Sequence, residues 1–385
     1  MKIGKFNADI IRSEDTLLLG GAERKNASVG TIIESWPDLY PDAALVIFDH
    51  RGRFYERFRG EAMLVDLASE GSLLPDLVEP FVTNEDFGSV SENIAYTMRR
   101  AVYQEIRSRD ANDKFFDDLG KIVTDRTLLY MLETMKNVVH NIAACSGSEG
   151  ESGIIKCLSS LNLFTIFCRQ HAYIEALAMK TISGETDSLP VKERVREAEK
   201  SGLVTREYSL AKYILEHELR YQKNSGRDAP VPFADILLTN GDNTNTQRCI
   251  KMQADASTAA FRALVSMMTR EASLFRGLET LRLGDFLTNP GRRPIFVCSS
   301  GNTSADKGLA PLLIAALGAA GQNTGRGAVI IIPELDRWGV LNYLDMFRQS
   351  CEHLRFAFGY ENFSRLALES RTEESKLIEA LYSAS

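Results

Sequence analysis

Residues 329–335 read VIIIPEL. Four β-branched residues run without a polar break into Pro333 and Glu334. A strand covered on both faces reads as a continuous apolar run, whereas a half-exposed strand alternates. Similar runs occur at 16–19 (TLLL, before Gly20-Gly21), at Ala44 to Phe48 (ending at Asp49), at 62–67 (AMLVDL) and at 293–300 (RPIFVCSS). A further strand is expected at RFAFGYEN (355–362). Helical stretches separate them: SVGTIIESWPDLYPDA is a helix followed by a proline-punctuated loop. GLAPLLIAALGAAG is a helix with Gly321 past its end, and LNYLDMFRQSCEHL is another. Strand–helix–strand order with doubly buried strands predicts an α/β fold with a mainly parallel sheet.

The period changes between about 86 and 280. Leu128, Met131, Leu132, Met135, Val138, Val139 and Ile142 recur at helical spacing, as do Phe261, Leu264, Val265 and Met268. Ile154, Leu158 and Leu161 start another stripe. The segments 145–153 and 221–230 are polar, glycine-containing loops. The organisation expected is an α/β domain split in two, 1–85 and 281–385, with an all-helical domain inserted at 86–280.

Composition narrows the function classes. Of 385 residues, 44% are hydrophobic and 25% charged, as in a soluble globular chain. A net charge of −7 argues against a generally basic nucleic-acid binder. No run approaches the roughly 18 apolar residues of a membrane helix. The first residues lack the apolar segment of a secretory signal, so the chain reads as cytoplasmic. Cys145, Cys157, Cys168, Cys249, Cys298 and Cys351 form no CxxC pair and read as reduced thiols. The five histidines show no metal-ligand spacing, and no metal site is expected.

One connection has the setting of a phosphate loop. Such loops converge backbone N–H groups on a phosphate, add a lysine for the terminal phosphates, and hold magnesium with a Ser or Thr hydroxyl. LLLGGAERKNAS lies between a strand and a helix, with Gly20, Gly21, Lys25 and Asn26 as the candidate nucleotide-binding residues. Gly20 precedes Lys25 by five residues, one short of GxxxxGK; Arg24 stands for the second glycine and Asn26 for the hydroxyl residue. A plain glycine turn fits the same residues. SSGNTSADKG (299–308) has the look of an anion-binding turn but reads better as a loop, and NGDNTNTQR (240–248), with Asp242, reads as a surface loop.

The order of these segments resembles the motor domain of the type IV secretion and conjugative coupling proteins, the TraG/TraD-type RecA-like ATPases. In that family the phosphate loop leads to a helix and a Trp-Pro turn, matched by Trp36 and Pro37. A strand then ends in Asp-Pro-Lys-Gly before an aromatic; Asp49, His50, Arg51, Gly52 and Tyr55 take those places. A helical domain follows, and the chain returns to an acidic strand, here VIIIPEL. The likeness runs from about 16 to 368.

The departures fall on the chemistry. The family's acidic strand ends in two acids, one for magnesium and one to polarise water; here Pro333 holds the first place and Glu334 alone remains, as the candidate catalytic base. No glutamine stands near Glu361, where the family senses nucleotide, and the family's membrane helices have no counterpart. Losing one preorganised electrostatic group typically costs on the order of 100–1,000-fold in rate, and here both magnesium anchors are replaced. The resemblance therefore implies a degenerate, non-hydrolysing component of a secretion or conjugation apparatus that binds its proteins, a true coupling ATPase among them, as a homo- or hetero-oligomer. The alternatives are an active ATPase using ATP and magnesium through Lys25 and Glu334, and a DNA-binding module.

Overall fold

The doubly buried runs form one sheet. In a computed structural model, the described residues are 16–20, 22–39, 41–82, 97–103, 114–124, 127–128, 131–132, 135, 162–169, 171–172, 244–270, 278–289, 293–340, 343 and 353–360. Six strands lie in the order β1 (Thr16–Gly20), β8 (Leu354–Tyr360), β7 (Gly327–Ile332), β2 (Ala43–Asp49), β6 (Ile295–Cys298), β3 (Met63–Val65). Every pair is parallel, with Thr16 opposite Phe356, Ala328 opposite Leu354, Ala43 opposite Gly327, Val46 opposite Ile295 and Met63 opposite Ile295. Leu45, Val46, Ile47 and Phe48 of β2 and Ile330, Ile331 and Ile332 of β7 are fully buried, as a strand covered on both faces requires. The fold is α/β, a parallel sheet whose strands come from two stretches of sequence, 16–65 and 295–360.

Helix α1 (Ala22–Leu39) covers one face. Its Val29, Ile32, Ile33 and Trp36 recur at i, i+3, i+4 and i+7 and meet Leu45, Ile47, Phe296, Val329 and Ile331 in one cluster. The Trp36 indole N–H donates to the Ala43 carbonyl at 3.1 Å, tying the helix to the start of β2. Trp36 and Pro37 lie inside α1, where the sequence predicts a turn; Pro37 removes only one intrahelical bond, and the helix ends two residues later at Leu39. Helix α7 (Thr303–Thr324) is buried along most of its length and packs on β7, β8 and α6 (Leu283–Thr288).

Gly321 does not stop α7, contrary to the sequence reading. A Cβ there would lie 2.9 Å from both the Arg326 carbonyl oxygen and His353 Cβ, so close packing demands the glycine. The helix stops at Gly325, whose φ of 64° is the left-handed conformation that ends helices. Two short strands were not legible in the sequence: β4 (Leu73–Pro75) and β5 (Glu279–Leu281) pair in parallel as a separate ribbon.

The chain divides into two compact units, Met1–Pro75 with Leu274–Ser385, and Asp76–Ser273. In the second, the described elements are helical: α3 (Glu79–Val82), 97–102, 114–124, 163–169, α4 (Thr244–Ser257) and α5 (Ala259–Arg270). Leu128, Met131, Leu132 and Met135 are buried there, as are Phe261, Leu264, Val265 and Met268. Helix 114–124 lies so close to α4 that a Cβ on Gly120 would come within 2.9 Å of the Ala254 amide nitrogen. Asp76 is fully buried; its carboxylate accepts N–H bonds from Val78 (3.2 Å), Glu79 (3.1 Å), Leu163 (2.7 Å) and Phe164 (3.0 Å). One carboxylate thereby satisfies the first amides of two helices. NGDNTNTQR is partly helical, because α4 already begins at Thr244. Val138, Val139, Ile142, Ile154, Leu158, Leu161, Asp242, the loops 145–153 and 221–230, and most of the expected helix at 341–354 lie outside the described residues. No helix among the described residues is long and apolar enough to cross a membrane.

Candidate functional site

In an open parallel sheet, ligands sit beyond the carboxyl ends of the strands. Here that edge is formed by Gly20, Tyr360, Ile332, Asp49, Cys298 and Val65, the last residues of the six strands.

Gly20 ends β1 and α1 begins at Ala22, so a single residue, Gly21, separates strand from helix. Gly21 and the side chains of Lys25 and Asn26 lie outside the described residues, while the backbone of Lys25 and Asn26 belongs to the first turns of α1. A loop of several successive amides, as a GxxxxGK connection supplies, has no length of chain to occupy here.

Asp49 ends β2, and its carboxylate is committed locally. Oδ2 accepts the Phe54 and Tyr55 N–H groups at 2.7 and 2.9 Å, capping α2 (Arg53–Phe58). Gly52 turns the chain with φ of 67°, and its N–H donates to the Asp49 carbonyl at 3.0 Å. Burial pushes the Asp49 carboxyl up, and the N–H donors, Tyr55 first, pull it back. Asp49 and Gly52 thus build one tight strand-to-helix turn.

Glu334 follows β7, past the buried Pro333. The register pairs Ile47 with Ile331, and continued by two residues it sets Pro333 beside Asp49. Glu334 Oε1 lies 3.9 Å from Nε of Arg51, in the turn after β2. Two aromatic contacts hold these turns together. Trp338 packs edge-on against Phe48 (ring centroids 5.2 Å apart) and against His50 (6.0 Å). Burial, and then the Arg337 charge, push the His50 imidazole below its ordinary range.

The loop after β6 is filled by its own acid. Asp306, on the first turn of α7, accepts the Ser300 N–H at 3.0 Å and the Ser300 hydroxyl at 2.6 Å, and also the Ser299 hydroxyl. Asn302 caps α7 by accepting the Ala305 N–H at 3.2 Å. Where an anion would sit in 299–308 there is a carboxylate; only 299–302 form a loop, because α7 already begins at Thr303. Cys298 is buried, and burial with the Asp49 charge pushes its thiol up to about 12, far from a reactive thiolate.

Asp306 and the buried Asp336, two residues past Glu334, were not singled out from the sequence. The one available signal for Asp336 was its place in PELDRW, directly after the strand. Among the described residues no group of three or more His, Cys, Asp or Glu side chains is placed to hold a metal ion. By the resemblance, Pro333 and Asn26 take the places of the two magnesium anchors of a phosphate-loop nucleotide site, which neither residue suits, and Glu334 lies 3.9 Å from an arginine.

No family model and no curated protein matches this chain. Among solved structures, it is similar to a plasmid coupling protein, TrwB, in complex with ADP and Mg2+, with 12% identity over 96% of this chain and 68% of that one, and a TM-score of 0.47. TrwB bound to a non-hydrolysable ATP analogue gives a TM-score of 0.46, and the unbound bacterial conjugative coupling protein TrwBdeltaN70 gives 0.44, each with the same identity and coverage. In fold, the chain is similar to conjugative coupling proteins along nearly its whole length.

Proposed function

We propose that this chain is a coupling-protein-like component of a type IV secretion or conjugative transfer system that works by binding protein and does not turn over ATP. The observation that carries this reading is the state of the acidic strand's end: Pro333 replaces the metal-binding acid, and the surviving Glu334 faces the Arg51 guanidinium across 3.9 Å. A base that activates water needs a free carboxylate with its water in line. An arginine beside it favours the charged form but competes for the oxygens that would hold that water. The one-residue connection between β1 and α1 supports the same reading, because a phosphate cradle needs a longer run of converging amides.

The test is titration of a fluorescent ATP analogue with and without magnesium, together with a phosphate-release assay on the purified chain. The reading expects no magnesium-dependent gain in affinity and release at the level of buffer. Tight magnesium-dependent binding that disappears in Lys25→Ala, or brisk phosphate release, overturns it and restores the ATPase alternative.

A further inference from the structure

A small cavity lies among the helices of the second unit, with a volume of about 20 Å³. Thr124, Thr127, Thr258, His171, Lys251 and Asp255 form its polar walls. All but Asp255 are more than nine-tenths buried, Lys251 at 3% exposure. An ammonium so far from bulk solvent needs hydrogen-bond acceptors inside the fold. One is the Asp255 carboxylate, which also takes the Arg262 guanidinium at 3.0 Å. The three threonines share one geometry. Each hydroxyl donates to the carbonyl four residues back: Thr124 to Gly120 at 3.0 Å, Thr127 to Val123 at 2.8 Å and Thr258 to Ala254 at 2.8 Å. A hydroxyl has one hydrogen, so each of these oxygens keeps only acceptor capacity. An ionised Asp255 also only accepts. A molecule in this cavity therefore meets one cationic donor and several acceptors.

We infer that the cavity is a binding site for a single water molecule, which accepts from the Lys251 ammonium and donates to threonine oxygens. The volume exceeds the roughly 10–15 Å³ that one water needs and is too small for an organic ligand. Chemistry removes the other occupants of that size. A halide donates nothing and would face the Asp255 carboxylate and three oxygens already turned into pure acceptors. A metal cation would sit beside the Lys251 charge, and among the described residues no group of three or more His, Cys, Asp or Glu side chains is placed to hold one. Water both accepts and donates, which is what these walls require. It thereby joins Lys251 of α4 to threonines of the preceding helical segments.

The test is oxygen-17 magnetic relaxation dispersion of the full chain, which counts long-lived internal waters. Thr127→Val/Thr258→Val keeps the shape of both side chains and removes two acceptors, and the dispersion amplitude should fall by one water. Thr127→Ser/Thr258→Ser keeps both oxygens and should hold the wild-type amplitude. Thr269→Val should also leave it unchanged: its hydroxyl makes the same bond to the carbonyl four residues back, Val265 at 2.9 Å, away from the cavity. Circular dichroism checks that each variant folds. If the valine pair does not fold, a high-resolution crystal structure of the wild-type chain decides, and it should show one water with roughly two to four polar partners that include Lys251. A wild-type amplitude in the folded valine pair, an equal fall in the serine pair or in Thr269→Val, no water at this place in the crystal, or an anomalous bromide peak there after soaking overturns the inference.

Discussion

Asp76 and Glu334 are both acids at the end of a structural element, and their surroundings differ sharply. Asp76 is shut away from water and is held by four backbone N–H groups. The Glu334 side chain is 13% exposed, and its Oε1 lies 3.9 Å from Nε of Arg51, itself 41% exposed. Four preorganised donors around a buried carboxylate make it part of the framework. The long contact from Glu334 to a half-exposed guanidinium holds its carboxylate less tightly than four backbone donors hold Asp76. Asp49 stands between the two, buried, with two N–H donors from the turn it caps.

That ordering is open to attack by mutation. Asp76→Ala leaves four buried N–H groups without an acceptor and is expected to destabilise the chain by about 3–5 kcal/mol in urea unfolding followed by circular dichroism. A loss below about 1 kcal/mol would erase the distinction drawn above. Asp49→Ala removes a helix cap and should cost about 1–2 kcal/mol in the same assay. Gly52→Ala is expected to cost about 1 kcal/mol through its left-handed backbone alone, because the nearest atom to an added Cβ, Cys298 Sγ, lies 3.9 Å away.

A smaller effect is expected from pH. The His50 imidazole titrates lower in the folded chain than its ordinary value of about 6.5, so between its folded pKa and that value the unfolded chain binds more protons. Its share of stability is therefore complete above about pH 6.5 and is lost as pH falls through the window below. Stability measured across that window in wild type and His50→Gln should differ in slope, with the shallower slope in the variant. Glu334→Gln should change stability least, by under about 1 kcal/mol, since the amide keeps the side chain's shape and the ion pair it weakens is long, at 3.9 Å, to an arginine 41% exposed.

Much of the α/β unit was legible because its central strands are buried on both faces. Leu45–Phe48, Ile295–Val297 and Val329–Ile332 carry their environment in their own composition. Partners that meet only through tertiary structure were not legible. Leu73–Pro75 has no strand signal of its own and becomes a strand by pairing with Glu279–Leu281. Asp76 looks like any loop acid until the amides of Leu163 and Phe164 arrive from a distant helix. At the candidate site, Pro333 and Asn26 were visible in the sequence as departures from the motifs of the family that the chain resembles. The arginine facing Glu334 was not, because nothing local links Arg51 to the end of a strand far along the sequence.

The parallel pairing of β4 with β5 has an engineering consequence. Leu73 faces Glu279 and Pro75 faces Leu281, so the outgoing strand finishes at one end of the ribbon while the returning strand starts at the other. A tight hairpin is thus the wrong splice for a trimmed gene in which the helical insert is deleted. A crossover bridge on the order of a dozen residues would carry the chain back to the start of β5 and leave the six-stranded sheet with its original connectivity.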